Sequence, residues 1–242
     1  MSTLGDFFKN KELKHSLDKK GWFVIRLDGK AFHTFTNKLQ KPFDTTLSEA
    51  MRFTTKQLCS EIQNVKFAYT QSDEISLILC DLDSETTALW YDGEIQKITS
   101  VSASIATAHF NRTYKHLDGK LAYFDARVFR LENEEEVQKY LMWRQIDSIK
   151  NAITLVSLKH YSHEEIHGKR SEEKKDMINN KKDSLSNYHE GLINGFVIRK
   201  SLHRVPFTNP KNKTTGMVER SFWVDEPSIM FRDENFQSIT NK

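Results

Sequence analysis

The order in which hydrophobic periodicity changes along the N-terminal half constrains this chain more than any other property. Trp22 to Leu27 (WFVIRL) is an apolar, β-rich run that stops at Asp28-Gly29, so it reads as a buried strand ending in a tight turn. Thr46-Leu-Ser-Glu49 has capping-box spacing. Leu47, Met51, Leu58, Ile62 and Val65 then recur on one face, which predicts a helix over about 46–64. Lys66–Thr70 is a second β-type run, Gln71-Ser72-Asp73-Glu74 interrupts it, and Ile75–Cys80 resumes, the pattern of a hairpin with two acids near its bend. Ile95, Ile98, Ser102, Ile105 and His109 mark a second helix. Phe124, Ala126 and Val128 alternate with Asp125 and Arg127 in a fourth, half-buried strand.

The resulting order is β-α-β-β-α-β, an α+β arrangement of the ferredoxin-like type, whose right-handed crossovers place strand one beside strand three and antiparallel to it. Asp28 closes strand one and Asp73 opens strand three, so the topology brings both carboxylates to one edge of the sheet. Either acid alone reads as an ordinary turn residue. Converging, they suit two Mg²⁺ ions held by carboxylate and backbone oxygens with phosphates filling the remaining positions, the arrangement used in phosphoryl and nucleotidyl transfer. Gly29-Lys-Ala-Phe-His33 could turn successive N–H groups toward a phosphate, with Lys30 and Lys41 adding charge.

Beyond the fourth strand, Asn133–His160 reads as a long helix. Residues 163–190 interleave acids and bases with few apolar residues and read as a solvated helix or mobile loop. Asn194-Gly195 precedes a short strand, FVIRK, and residues 203–242 hold three of the four prolines with little periodicity, as expected of a peripheral appendage. The division expected is a palm-like core over 1–135, an elaboration over 136–202 that completes the catalytic domain, and a peripheral segment over 203–242. His160, His163 and His167 have ligand-like spacing but lack a cysteine or catalytic glutamate, which favours a solvated helix end over zinc. Cys59, Cys80, Trp143, Tyr69 and Phe124 read as packing residues, with Arg144 and Gln145 the polar contributors beside Trp143.

The net charge of +3 means that any polyanion must be met by local charge rather than by a large basic excess. Two cysteines fit a reducing setting, no apolar run approaches a membrane span, and the start lacks the order of a secretory signal, so the expected location is cytoplasmic.

Four blocks in order resemble the tRNA(His) guanylyltransferases and their shorter guanylyltransferase-like relatives: Arg26-Leu-Asp-Gly-Lys-Ala-Phe-His33, Lys41-Pro-Phe-Asp44, Ala68-Tyr-Thr-Gln-Ser-Asp-Glu-Ile-Ser76 and Tyr140-Leu-Met-Trp-Arg-Gln-Ile-Asp147. The match runs from about Leu4 to Lys200. The resemblance implies a polymerase-type palm in which Asp28, the Gly29 carbonyl and Asp73 hold two Mg²⁺ with Glu74 in support. It implies a triphosphate cradled by Gly29, Lys30, Ala31, Phe32 and His33 beside Lys41, Asp44 and Ser72. Further charge would come from Lys97 and Lys174, and RNA or second-nucleotide contacts from Arg26, Arg144, Gln145, Asn151 and Lys174.

The implied chemistry is 3′→5′ nucleotide addition to tRNA using ATP and other nucleoside triphosphates, by a chain that commonly forms a homotetramer. Where members that add guanosine to tRNA(His) carry His-Ile-Asn-Asn, this chain has Ile149-Lys150-Asn151-Ala152. That departure points to templated repair of 5′-truncated tRNA, with addition of the extra guanosine as the alternative. A nucleotidyl cyclase would want a Gly-Gly-Asp-Glu-Phe-type bend and no Trp-Arg-Gln block. A ferredoxin-like RNA-binding module would want exposed aromatics in place of Asp28 and Asp73.

Overall fold

The computed structural model describes residues 3–17, 20–82, 86–211, 213–232, 236 and 239. In chain order the elements are α1 (Leu4–Lys9), β1 (Trp22–Gly29), α2 (Phe32–Phe35), α3 (Thr45–Glu61), β2 (Val65–Gln71), β3 (Glu74–Cys80), α4 (Ile95–Thr113), β4 (Phe124–Leu131), α5 (Glu134–Leu158), α6 (His163–Ile166), α7 (Ser171–Asn180), α8 (Glu190–Asn194), β5 (Phe196–Thr208) and β6 (Thr215–Pro227). One antiparallel sheet runs in the order β4-β1-β3-β2-β5-β6. Its first four strands have the expected ferredoxin-like order, with β1 flanked by β3 and β4.

β1 and β3 read as unbroken apolar runs because both of their faces are covered. Phe23, Ile25, Leu27, Ile75, Leu77 and Leu79 join a cluster that includes Met51 and Leu58 of α3 and Phe110 of α4. Val24 and Ile78 point the other way, toward Val137, Tyr140 and Leu141 of α5. Each such large side chain, taken from water, stabilises the fold by about 1.5–3 kcal/mol. β4 lies at the sheet edge and therefore keeps the alternation seen in its sequence.

Several expectations are corrected in detail. The helix expected over 46–64 is capped two residues earlier than expected, by Asp44, whose Oδ1 accepts from the Leu47 N–H at 2.8 Å. The mixed-charge stretch includes α6 and α7, helix being one of the two forms expected, and beyond that expectation these helices bury Ile166 and Ile178. Asp183, itself buried, accepts hydrogen bonds from Lys159 Nζ at 2.9 Å, His160 Nε2 at 2.7 Å, Tyr188 Oη at 2.8 Å and Asn187 Nδ2 at 3.0 Å. His160 is thereby engaged as an anion partner.

The largest correction concerns residues 203–242. β5 runs through the boundary expected at 202/203, and β6 pairs with it from Phe196↔Pro227 to Thr208↔Thr215. The outer half of this ribbon is exposed, but Phe231, Phe236 and Ile239 are buried in the α5-side core. The segment is a strand and part of a core, not a peripheral appendage. No helix among the described residues is long and apolar enough to cross a membrane.

Candidate active site

The antiparallel register sets Asp28 opposite Glu74 on β3 and opposite Asp125 on β4. Residues directly opposite share a face, so these three carboxylates form a row on the side covered by α5. Asp73 sits in the bend just before β3, where the Gly29 N–H donates to its carbonyl at 3.2 Å. The bend is tight: Ser72 adopts the left-handed region at φ 49°, and its hydroxyl donates to Asp73 Oδ1 at 3.0 Å. The convergence expected from topology is therefore present.

Its electrostatics are unfavourable in the protein alone. Burial, and then the charge of Asp28, pushes the Asp73 carboxyl up to about 6. Burial likewise pushes Glu74 up to about 7, although Arg144 and Arg26 pull it down. Arg144 Nε lies 3.2 Å from Glu74 Oε1, and the same guanidinium also binds Asp147. Neither Asp28 nor Asp73 is in an ion pair among the described residues. Among the described residues no three acids, histidines or cysteines gather to hold a metal, but Asp28 and Asp73, beside the Gly29 carbonyl, are oxygen donors of the kind a hard divalent cation such as Mg²⁺ takes. Asp125 is turned toward Arg127, 3.5 Å away.

The following turn is narrower as a phosphate cradle than its sequence suggests. The Gly29 N–H is committed to Asp73, and the Lys30 N–H donates to the Tyr123 carbonyl at 2.8 Å. Ala31, in the left-handed region at φ 55°, starts α2 without a side-chain cap, which leaves the N–H groups of Ala31, Phe32 and His33 without partners among the described residues. Position 29 accepts only glycine: a Cβ there would come within 2.3 Å of the Phe32 ring, which is packed against Phe35, Phe110 and Phe124.

Next to this edge, a cavity of about 160 Å³ opens between the α2–α3 connection, the end of β2 and α5. Lys41, Asp44 and Ser72 border it as expected, and so does Asn151. Its walls mix apolar residues such as Leu39, Met51 and Leu155 with polar ones such as Thr70, Gln71 and Ser148, a lining that suits a planar ring with polar edges.

Other candidate residues are placed elsewhere. Gln145 is only 2% exposed and holds the C-terminal segment: its Nε2 donates to the Ile229 carbonyl at 2.8 Å, and its Oε1 accepts from the Phe231 N–H at 3.0 Å. It is a structural clamp rather than an RNA contact. Lys97 does not reach the aspartates within this chain. Thr107, which accepts from the Phe124 N–H at 3.2 Å, marks the part of α4 beside Gly29, and Lys97 precedes it by about three turns, roughly 15 Å. There it pairs with Glu94 at 2.7 Å. Lys174 on α7 donates to Thr154 on α5 at 3.1 Å and touches no residue of the aspartate edge.

Arg26 stays on the Asp28 face, opposite Arg127, and its buried Nε has no hydrogen-bond partner. Trp143 is not core: it is 50% exposed, with the Arg144 guanidinium 3.9 Å from its ring centroid. The sequence reading missed Gln71, which lines the cavity, and Asp125. The alternation of β4 was the available signal for Asp125, and Gln71 had none beyond its place beside Ser72.

The family model described as tRNAHis guanylyltransferase matches residues 5–132. A bacterial tRNA(His) guanylyltransferase-like protein in complex with ATP is 32% identical, with each chain covered over its full length and a TM-score of 0.84. A bacterial protein of the same description in complex with GTP is also 32% identical, covering 98% of this chain and 97% of its own, with a TM-score of 0.79. The likeness thus extends through residues 203–242, for which the sequence blocks show no counterpart. The probable tRNA(His) guanylyltransferase of Drosophila melanogaster is 31% identical over 59% of this chain and 50% of its own length. This chain spans between half and three-fifths of the length of the first curated relatives it matches. With the matched region containing both aspartates, the glycine turn and the bend before β3, the chain belongs to the tRNAHis guanylyltransferase family.

Proposed function

We propose that this protein is a nucleotidyltransferase that adds nucleotides to the 5′ end of tRNA in the 3′→5′ direction, and that it restores truncated acceptor ends by copying the opposite strand. The observation that carries the reading is the meeting of Asp28 and Asp73 across β1 and β3, fixed by the Gly29–Asp73 backbone hydrogen bond at 3.2 Å. Asp28, the Gly29 carbonyl and Asp73 are the oxygens that would hold Mg²⁺, which when bound neutralises phosphate charge and makes an attacking hydroxyl more acidic.

The chain's own groups then have separable tasks. The unpaired N–H groups of residues 31–33, with Lys30 and Lys41, receive phosphate oxygens, and the adjoining cavity encloses the nucleoside and keeps water from it. Arg144, buried and paired with both Glu74 and Asp147, holds Glu74 beside the aspartates. In the reaction the 3′-hydroxyl of an incoming nucleotide attacks the 5′ phosphorus of the RNA. A new O–P bond forms, the bond to pyrophosphate or to a previously attached AMP breaks, and the hydroxyl proton leaves to solvent.

Templated repair is favoured over addition of an extra guanosine by residues 149–152. Asn151 and Ala152 border the cavity, whereas Ile149 faces a groove between α5 and α7, so the imidazole and second amide of the guanosine-adding pattern are both missing. The test is single-nucleotide addition to tRNA lacking its first residue, with ATP and Mg²⁺. Incorporation of only the complementary nucleotide supports repair, whereas guanosine addition regardless of the opposing base supports the alternative.

A further inference from the structure

Gln71 ends β2, directly opposite Glu74, and is 8% exposed. It lines the cavity, yet its carboxamide makes no hydrogen bond with any described residue. Buried amides are ordinarily paired, and this chain shows what that looks like in Gln145, which engages both ends of its side chain. The buried hydroxyls of the cavity wall are already committed, while Ser48 and Asn151, which also border it, are more exposed. Thr70 Oγ1 donates to the Glu74 carbonyl at 3.0 Å, Ser148 Oγ donates to the Ile193 carbonyl at 2.9 Å, and Asp44 caps α3. An entering ring therefore meets in Gln71 a largely buried side chain whose amide borders the cavity with both a donor and an acceptor uncommitted.

We propose that the Gln71 carboxamide pairs with the base edge of the purine nucleoside triphosphate bound in this cavity, which makes it a base-contacting residue of the reaction proposed above. This rests on the nucleotidyltransferase reading. A carboxamide presents one donor and one acceptor side by side. Adenine offers the complementary pair through its 6-amino group and N1 or N7, and guanine offers it through O6 and N1–H after the amide rotates by half a turn. Gln71 thus accepts both purines and selects against neither.

The experiment is equilibrium binding of ATP, GTP and 2′-deoxy-ATP, with Mg²⁺ and without RNA, to the wild type, Gln71→Glu and Gln71→Met, with folding of each checked by thermal melting. A carboxylate only accepts, and guanine offers it two donors where adenine offers one, so Gln71→Glu should shift the ATP/GTP preference at least tenfold toward GTP. Gln71→Met, close in size, should weaken both purines severalfold and leave their ratio unchanged. An unchanged ratio in a folded Gln71→Glu protein overturns the proposal. So does a loss in Gln71→Met that is confined to ATP and absent for 2′-deoxy-ATP, because it would assign the amide to the ribose. Failure of the wild type to bind any of the three nucleotides overturns the nucleotidyltransferase reading along with it.

Discussion

Asp73 and Asp183 are two aspartates removed from bulk water whose surroundings act in opposite directions. Asp183 is surrounded by donors. The hydrogen bond from His160, with those from Lys159, Asn187 and Tyr188, holds its carboxyl well below the usual carboxylate range. Asp73 has Asp28 as its charged neighbour and one serine hydroxyl in partial compensation, and its carboxyl is raised to about 6. A carboxylate that its own fold satisfies is part of the scaffold. A carboxylate that its fold leaves only partly compensated is a candidate for a functional role instead.

The comparison breaks most visibly in activity. Asp28→Ala and Asp73→Asn should each lower nucleotide addition by about 10²–10³-fold or more, as loss of a group that stabilises transition-state charge does. Asp183→Asn should leave the rate constant within a small factor when assayed below its melting temperature. In stability the ranking reverses: Asp183→Ala should lower the denaturant midpoint measurably, because Lys159, His160, Tyr188 and Asn187 lose their shared acceptor. Gly29→Ala should cost about 2 kcal/mol, from the overlap with Phe32, and should abolish addition with it.

Acid sharpens the contrast at smaller amplitude. The raised carboxyl of Asp73 favours the fold when protonated, so in the metal-free protein its contribution is fully present below about pH 4 and is lost as pH rises through about 6. Asp73→Asn should therefore raise the metal-free melting temperature at pH 8, by the equivalent of about 1 kcal/mol after solvent screening, and change it little at pH 4. Asp183 has the opposite sign: its contribution is complete at neutral pH and declines as pH falls below about 4. Protonation of Asp73 should also weaken Mg²⁺ binding below about pH 6, measurable by calorimetric titration across pH.

The two regions were not equally legible in the sequence. The Asp28–Asp73 edge followed from topology, since strand order and antiparallel direction are enough to bring the end of β1 to the start of β3. The Asp183 cluster did not, because it joins the end of α5 to a charged stretch whose composition resembles solvated chain and whose few apolar residues, Ile166 and Ile178, are the ones that bury. Gln145 and the C-terminal segment were obscured for a related reason. Their partnership spans more than eighty positions and depends on the chain after β6 returning to α5, which no local pattern encodes. Lys97 shows that a correct helix does not place its residues in a site, because α4 approaches Gly29 with its later turns. The cavity is built from four separate parts of the chain and emerges only when they pack together.

The most direct test is extension of a 5′-labelled tRNA lacking its first nucleotide by the wild type, Asp73→Asn and Asp183→Asn, side by side with ATP, Mg²⁺ and the complementary nucleotide. Extension by the wild type and Asp183→Asn, with Asp73→Asn folded but inactive, is the result this account predicts. Extension by a folded Asp73→Asn protein at the wild-type rate would contradict it.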